Sequence, residues 1–339
     1  QEMIFGDAAA AFLMGNDNVV AEFKGSYSST LDFVDHYRGE GAEFDRGWED
    51  RWIRDLGYDT FIPEVVKGLV QKCNLNLADF AKVVFPCHYD VEHAKIAKML
   101  GLKPEQVQNS LQENVGDSGT AQPLVMLVNA LEQSKPGDKI MVISFGSGCD
   151  ALYFQVTENI SKMKGKIGIA GHLAKKAPLA SYEKYAVFRG MLPVELGIRG
   201  EVDLPTPFSL LWRNRKAVLG LEGSKCLKCG TPQYPPQRIC ANPKCDAQDQ
   251  MEPYRFVGKK ARIFTYTGDN LAASYDPPAI YGIVEFEGGG RFMFNFTDCD
   301  LNSVKVGMPV DMTFRKKYYD EKRGIHGYFW KAVPQEEVA

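Results

Sequence analysis

Four of the eight cysteines fall within twenty residues, and their spacing constrains the fold of this 339-residue chain more than any other feature. Cys226 and Cys229 form one close pair, and Cys240 and Cys245 form a second pair further along. Two close cysteine pairs can surround one tetrahedral Zn²⁺ with four thiolates. Gly230 suits the tight turn that follows the first pair. Without a secretory leader, zinc is favoured over two disulfides. We therefore predict a closed zinc site that stabilises folding rather than doing chemistry.

The other four cysteines are scattered along the chain. For each of them a small, buried hydrophobic side chain is the default interpretation, because free cysteine is among the most buried residue types. These residues are Cys73, Cys87, Cys149 and Cys299.

The length predicts two to three domains, and the composition is ordinary for a globular protein, with 45% hydrophobic and 24% charged residues. No apolar run approaches the roughly 18–20 residues of a membrane span, and no leader of the basic-then-apolar type is visible. We therefore expect a cytoplasmic protein without a membrane partner.

Charge is distributed unevenly. Residues 1–160 carry 13 basic and 24 acidic side chains, residues 161–219 carry 11 and 4, and residues 220–339 carry 16 and 15. A basic middle segment can attract an anionic ligand, although a solvated linker has the same composition. Its most concentrated cations are Arg213, Arg215 and Lys216.

Residues 1–160 read as alternating strands and helices, which favours an α/β layered fold. Predicted helices cover 60–74 (with Thr60 as N-cap), 91–100 and 121–132, and predicted strands cover 82–85, 106–112, 139–145 and 151–157. The strand 139–145 is apolar almost throughout, so we expect both of its faces to be buried, with the next strand as its antiparallel partner.

The remaining chain divides into three parts. Residues 161–220 read as a basic linker with a docking helix near 181–189, residues 221–253 as a zinc ribbon, and residues 254–335 as an OB-type barrel. Five short strands with period-2 alternation support the barrel. These strands are expected at 262–266, 279–285, 291–296, 309–314 and 327–331.

Four motifs stand out in the first part of the chain, at residues 82–89 (KVVFPCHY), 97–101 (AKMLG), 114–121 (NVGDSGTA) and 136–148 (PGDKIMVISFGSG). Together they resemble the C-terminal half of the thiolase superfamily, close to ketoacyl synthase III and HMG-CoA synthase. Residues 221–335 are similar to the zinc-ribbon/OB module that accompanies thiolase-like enzymes. The resemblance implies an α/β layered thiolase-like half-fold followed by a zinc ribbon and a small all-β OB-type barrel.

The same resemblance bears on the start of the chain. Residues 6–9 (GDAA) are similar to the Gly-Asp-Gly-Ala that closes the N-terminal half of these enzymes. We therefore expect a fragment or one piece of a split protein, with the nucleophilic Cys on a second polypeptide or segment that carries the N-terminal half. A homodimer or a hetero-oligomer follows, because one half alone would expose an apolar helix layer.

For catalysis the resemblance points to His88 and Asp117. The histidine of the family aligns with Pro86, so His88 corresponds to it after a shift of two residues, and Gly116-Asp117 stands where the family has Gly-Asn. A neutral imidazole can donate to a thioester oxyanion or take a proton. Asp117 would imitate an amide donor if burial raised its pKa, and a helix-capping carboxylate is the alternative. An ordinary loop histidine is the alternative for His88.

Substrate contacts are predicted at Gly116, Ser118 and Gly146, and the phosphates of an acyl-CoA are expected at Arg213, Arg215 and Lys216. The pantetheine is expected between the α/β half and the zinc/OB portion. For Gly146 a plain turn is an equal alternative.

The predicted function is that of an acyl-CoA acyltransferase, which forms or cleaves a C–C bond by Claisen-type chemistry within a larger complex. One alternative is a noncatalytic scaffold that binds acyl-CoA for a partner thiolase. A third is nucleic-acid binding through Phe292, Phe294 and Phe296, although three alternating phenylalanines are more typical of a barrel core. The near-neutral balance of residues 220–339 leads us to expect no nucleic-acid partner.

Overall fold

The computed structural model describes residues 3–163, 168–195, 205–320 and 322–335. The chain divides into two compact units, Gln1–Pro178 and Leu179–Ala339. None of the helices in the described ranges has the length and apolar character needed to cross a bilayer.

The described residues form fourteen strands. The strands are β1 (Ala21–Ser29), β2 (His36–Tyr37), β3 (Arg46–Gly47), β4 (Lys82–Val84), β5 (Lys139–Gly146), β6 (Gly148–Val156), β7 (Glu222–Cys226), β8 (Pro232–Gln233), β9 (Met251–Arg255), β10 (Ala261–Asp269), β11 (Ala279–Phe286), β12 (Arg291–Asn295), β13 (Pro309–Asp320) and β14 (Ile325–Pro334).

Helices connect and cover these strands. The α-helices are α1 (Asp50–Trp52), α2 (Ile62–Lys72), α3 (Asp90–Met99), α4 (Gln112–Val115), α5 (Gln122–Gln133), α6 (Ile169–Ala174), α7 (Tyr182–Phe188), α8 (Phe208–Arg213) and α9 (Arg215–Gly220). A π-helix covers Ile53–Phe61, and 3₁₀ turns lie at Leu77–Asp79, Pro104–Gln106, Gly119–Ala121, Glu158–Met163 and Leu301–Ser303.

The first unit is a layered α/β fold around a four-stranded sheet of order β1-β6-β5-β4. β4 and β5 are parallel and the other pairs are antiparallel. Successive residues of β5 point to opposite faces, so Met141 and Ile143 enter one apolar cluster while Ile140 and Val142 enter the other. The prediction that this strand is buried on both faces is confirmed.

Two predictions in this unit differ from the structure. The helix predicted over 60–74 is confirmed as α2, but Thr60 is not its N-cap, because helical structure already begins at Asp50 and Thr60 lies inside the π-helix, where its hydroxyl donates to the Asp55 carbonyl (3.1 Å). The strand predicted at 106–112 is reduced to one bridge between Val107 and Val83. Nearby, the Asn109 side chain accepts from the Leu111 N–H, and such local bonds compete with a strand ladder.

Strand β1 is an element that the sequence analysis missed. Its Ser- and Gly-containing sequence lacks the β-branched character of a typical strand, and it is shifted in register between Phe23 and Gly25. Pairing with β6, rather than local propensity, holds this edge strand in place.

A close backbone contact joins the N-terminal segment to the loop before α5. Gly6 N donates to the Asp117 carbonyl (3.0 Å), and Asp117 N donates to the Ile4 carbonyl (2.8 Å). A side chain at Gly6 would overlap the Val115 carbonyl, and one at Gly116, where φ is +76°, would lie 2.8 Å from Gly6 N. Glycine at both positions allows this approach.

The second unit contains the zinc ribbon and the barrel. The ribbon sheet has the order β8-β7-β9, and the barrel sheet has the order β12-β11-β10-β13-β14. A parallel bridge between Phe296 and Ala332 brings the two edges of the barrel sheet together. All five predicted barrel strands are confirmed, as is the helix near 181–189, although residues 164–167 and 196–204 of the predicted linker lie outside the described residues.

Three alternating phenylalanines of the barrel pack inward. Phe294 and Phe296 are buried, and Phe292 is partly buried against the same apolar cluster. The interpretation of this stripe as barrel core is confirmed, so these rings are not a base-stacking surface.

Candidate functional site

The two residues predicted as catalytic contact each other. His88 lies on the loop after β4, and Asp117 lies on the loop before α5. Nδ1 of His88 is 3.3 Å from Oδ2 of Asp117, and the two side chains are 19% and 21% exposed. This pair is therefore half-sheltered at the edge of the sheet where the carboxyl end of β4 lies, which is where parallel strands commonly present working side chains.

The environment of Asp117 keeps its carboxyl group ionised. Burial alone would raise its pKa, but hydrogen bonds from the His88 imidazole and from the Gly119 N–H (2.8 Å), with the charges of His88 and His36, lower the pKa below its ordinary value. The hypothesis of a protonated Asp117 that imitates an amide donor required a raised pKa and is wrong. Instead the carboxylate lies 3.3 Å from Nδ1 and can accept a hydrogen bond from it, and in the tautomer that carries the proton on Nδ1 the lone pair is on Nε2.

The loop that carries His88 is fixed by its neighbours. The Cys87 thiol donates to the Tyr89 carbonyl (3.4 Å), and the hydroxyl of buried Tyr58 hydrogen-bonds the same sulfur. The Tyr58 ring packs against Phe145 with centroids 5.3 Å apart. Tyr58 lies in the π-helix, upstream of the predicted helix start, so no sequence signal pointed to it.

The loop that carries Asp117 has its own support. The Ser118 hydroxyl donates to Oε1 of Gln122 (2.6 Å), and the amide of Gln122 donates to the Ser110 carbonyl (2.7 Å). Gln122 is only 2% exposed, so this network is rigid. Gly116 and Ser118 thus hold the loop in shape, and their predicted contact with substrate stays a prediction.

Gly146 ends β5 at the tight connection to β6, where it pairs with Gly148. Since β4 and β5 are parallel, Gly146 lies at the same edge of the sheet as the loop of His88. A side chain built at Gly146 would meet nothing within 4 Å, whereas one at Gly148 would contact the Ser29 carbonyl. A ligand could approach the Gly146 backbone closely, which keeps both the turn and the substrate interpretations open.

Three of the four cysteines outside the ribbon, Cys87, Cys149 and Cys299, lack the properties of a nucleophile. Cys87 and Cys149 are buried, and burial raises their thiol pKa values to about 11 and about 12. Burial likewise raises the pKa of Cys299 to about 11. A catalytic cysteine needs a lowered pKa and some exposure, so these thiols are inert at neutral pH.

Two of the three predicted phosphate ligands line one cleft. Arg213 and Lys216 border an open cleft of about 370 Å³ next to the ribbon, and Arg238, which the sequence analysis did not single out, lies on its other side. Arg215 points elsewhere, because its guanidinium lies 4.0 Å over the Trp212 ring and donates to the Trp212 carbonyl (2.7 Å). The cleft also contains Glu222 and Glu252, and its role in binding phosphate stays a prediction.

The four ribbon cysteines come together as their spacing predicted. Their Sγ atoms all lie within 4.8 Å of one another, with Cys226–Cys245 at 3.8 Å and Cys229–Cys240 at 3.5 Å. A zinc tetrahedron with Zn–S bonds of about 2.3 Å places its sulfurs about 3.8 Å apart, so these residues fit the ion. Gly230 adopts φ +74°, the left-handed turn expected after the first pair.

Zinc removal should unfold the ribbon. We expect one zinc per chain, and Cys226→Ser should unfold residues 221–253 while residues 1–160 stay folded, because the two regions have separate cores. Metal analysis together with hydrogen exchange checks both statements. Ser303→Ala, which removes an exposed hydroxyl far from the cysteines in sequence, is the control. A folded sample without zinc, or two mapped disulfides, would contradict the prediction.

His88 should control the pKa of Asp117. His88→Ala removes the imidazole hydrogen bond and charge, so the carboxyl pKa should rise, whereas His172→Ala on α6 should leave it unchanged. Because the folded pKa is depressed, the pair stabilises the fold above about pH 4, and this stability is lost as pH falls through the folded pKa. Carbon-detected NMR titration of Asp117 measures the shift, and an unchanged pKa in His88→Ala would refute the coupling.

Three families of domains match the chain in order. Residues 70–153 match the C-terminal domain of 3-oxoacyl-[acyl-carrier-protein] synthase III. Residues 213–252 match the rubredoxin-like zinc ribbon domain of ChsH2, and residues 254–315 match the C-terminal OB-fold domain of ChsH2. The resemblance drawn from the sequence is confirmed, as are the fold class and the zinc ribbon.

Two kinds of curated relatives match parts of the chain. The hydroxymethylglutaryl-CoA synthase of Methanopyrus kandleri is 33% identical over 186 residues, which cover 54% of this chain and 53% of that protein. The DUF35 domain-containing scaffold protein of Methanothermobacter thermautotrophicus is 35% identical over 127 residues, which cover 37% of this chain and 93% of that protein. The chain spans about half the length of the synthases that it matches.

Among solved structures, a chain of the Ltp2-ChsH2(DUF35) aldolase aligns with a TM-score of 0.30 and 17% identity, covering 40% of this chain and 98% of that one. The match to nearly the whole scaffold protein decides the family. The chain belongs to the DUF35 domain-containing proteins, and it joins their zinc ribbon and OB-fold to a thiolase-like domain of the 3-oxoacyl-synthase-III type.

Proposed function

We propose that this protein is an acyltransferase that makes or breaks a C–C bond in CoA thioesters, with His88 and Asp117 as its acid–base pair. The observation that carries the proposal is the contact between His88 Nδ1 and Asp117 Oδ2 at 3.3 Å, at the loop edge of a synthase-III-type domain. Similarity to hydroxymethylglutaryl-CoA synthases over half the chain supports the same chemistry.

The pair acts through one nitrogen. Ionised Asp117 fixes the tautomer in which Nδ1 carries the proton, so Nε2 of His88 is free to take an α-proton from a bound thioester. The carbanion that remains forms the new C–C bond with an acyl group held as a cysteine thioester, and the cysteine leaves as a thiolate. The proton on Nε2 then returns to that thiolate, which balances the cycle.

The nucleophilic cysteine comes from a second polypeptide or a further segment. Cys87 and Cys149 are buried with raised pKa values, which excludes them at neutral pH. Residues 8–14 offer a place for such a partner, because they form no β-ladder with the described part of the chain. Ala8 and Ala10 pack inward, while Leu13 and Met14 are almost fully exposed.

An extended apolar segment with unpaired backbone groups adds readily to a partner sheet.

The CoA moiety of the substrate is proposed to place its phosphates at Arg213 and Lys216, which line the same cleft. Affinity for CoA should therefore fall as the salt concentration rises.

A noncatalytic acyl-CoA-binding scaffold is the second candidate. The observation in its favour is the 35% identity to almost the whole length of a protein described as a DUF35 domain-containing scaffold protein. The histidine of the family aligns with Pro86, and proline cannot act as a base. This alignment also favours the scaffold. This candidate predicts CoA binding without turnover.

Acyl transfer by the native assembly separates the two candidates. In the full chain with its co-purifying polypeptides, His88→Ala should lower the rate by about 10²- to 10⁴-fold, the usual contribution of a general base. CoA affinity and the rate of the control His172→Ala should stay unchanged. Unaltered turnover in His88→Ala and Asp117→Asn would remove the site assignment, and binding without any turnover would establish the scaffold.

Assembly is tested independently of catalysis. Light scattering of the full chain at micromolar concentration should show an oligomer or a complex rather than a monomer. Charged substitutions in the exposed segment, Leu13→Asp with Met14→Asp, should weaken that assembly, whereas the equally exposed Val91→Asp on α3 should not. A stable monomer with unaltered CoA chemistry would contradict the proposed partner.

A further inference from the structure

The hairpin of β13 and β14 carries a row of exposed aromatic side chains that the proposed acyl-transfer chemistry does not use. Opposite residues on its outer face include Phe314 with Trp330, Lys316 with Tyr328, and Tyr319 with His326. Phe314, Tyr319 and Tyr328 are each between 42% and 49% exposed, and His326 is exposed as well.

These rings form a continuous ladder. Ring centroids lie 5.3 Å apart for Trp330–Phe314 and 5.4 Å for Phe314–Tyr328, whose planes differ by only 13°. The ladder continues with Tyr328–His326 at 6.4 Å and His326–Tyr319 at 4.8 Å. Trp330, at one end of the row, packs partly buried against the barrel core, and the other four rings are exposed, which is an unusual amount of aromatic surface on one face of a hairpin.

The inner face of the same hairpin packs against the rest of the second unit. Phe329 packs on Phe294 of the barrel core at 6.1 Å. The Tyr318 hydroxyl accepts a hydrogen bond from Thr206 N (3.0 Å), and Gly327 leaves room for the Tyr318 ring. Since the inner face and Trp330 secure the hairpin on the barrel core, folding alone does not account for the four exposed rings of the outer face.

Lysines accompany the ladder. Lys316 lies directly opposite Tyr328, and Lys317 and Lys322 are exposed nearby. By contrast, Arg315 is bound to Asp298 (2.5 Å) and Arg323 is bound to Asp320. The lysines therefore supply the positive charge available to an incoming anion.

We propose that this outer face, the aromatic ladder with Lys316, Lys317 and Lys322, binds single-stranded nucleic acid. Successive bases would stack on the rings while the lysines meet the phosphates, the combination of aromatic platforms and positive charge with which proteins bind single strands. This site is not the stripe of Phe292, Phe294 and Phe296 that the sequence analysis considered, because that stripe packs into the barrel core. Residues 220–339 are near neutral on average, but the exposed lysines make this face of the hairpin locally positive.

Two other ligands fit less well. Protein interfaces are depleted of lysine at their centres, whereas Lys316 stands within the ladder. A single nucleotide, such as the adenosine of CoA, needs one or two rings and leaves the rest of the row without a role. The proposal does not depend on the proposed acyl-transfer function, and either can fail alone.

Fluorescence anisotropy with labelled ten-nucleotide oligomers tests the proposal on the full chain. Oligo(U) and oligo(dT) should bind, and Tyr328→Ala should weaken binding about 5- to 100-fold, the range expected for one base–aromatic stack. Lys316→Gln and Lys317→Gln should each reduce the salt slope by about 0.7. The controls Tyr275→Ala and Lys305→Gln, exposed residues outside the hairpin, should change neither.

Competition identifies the ligand. Excess CoA or adenosine 3′,5′-bisphosphate should leave the oligomer bound, and a duplex of the same length should bind more weakly. Absence of oligomer binding, or displacement of the oligomer by equimolar CoA, would overturn the proposal. So would a ladder that binds acidic polypeptides such as poly-glutamate as tightly as it binds oligo(U), because charge alone would then explain the interaction.

Discussion

The candidate site depends on two glycines that let separate segments approach at the level of the backbone. Gly6 and Gly116 lie so close that a side chain at either would collide with main-chain atoms of the other segment. Two hydrogen bonds between Ile4, Gly6 and Asp117 then fix the loop that carries the Asp117 carboxylate. Because these backbone contacts fix the loop, they also fix the position of the Asp117 carboxylate next to His88.

The electrostatic environment of the pair determines the protonation state of Asp117. A carboxylate that burial alone would protonate is kept ionised by the imidazole and by the Gly119 N–H, so its pKa is lowered. An ionised Asp117 determines which nitrogen of His88 carries the proton. The buried thiols of Cys87 and Cys149 have raised pKa values, so neither is suited to act as a nucleophile at neutral pH.

How much of this could be predicted differs between the two units. Cysteine spacing and period-2 alternation are local signals, and they identified the ribbon and all five barrel strands. In the first unit the strand at 82–85 and His88 followed from pattern and resemblance. β1 is held by pairing with β6 and the π-helix by packing of Tyr58 on Phe145, so neither had a local signal. The contact of His88 with Asp117 joins residues 29 positions apart and needed the fold.

The most direct test of the central claim is α-proton exchange. Incubation of the native assembly with an acyl-CoA deuterated at the α-carbon reports proton abstraction without requiring a complete turnover. If Nε2 of His88 is the base, deuterium is lost with the native protein, and the loss is abolished in His88→Ala and strongly slowed in Asp117→Asn, at unchanged CoA affinity. Equal rates of deuterium loss in the native protein and in His88→Ala would contradict the account.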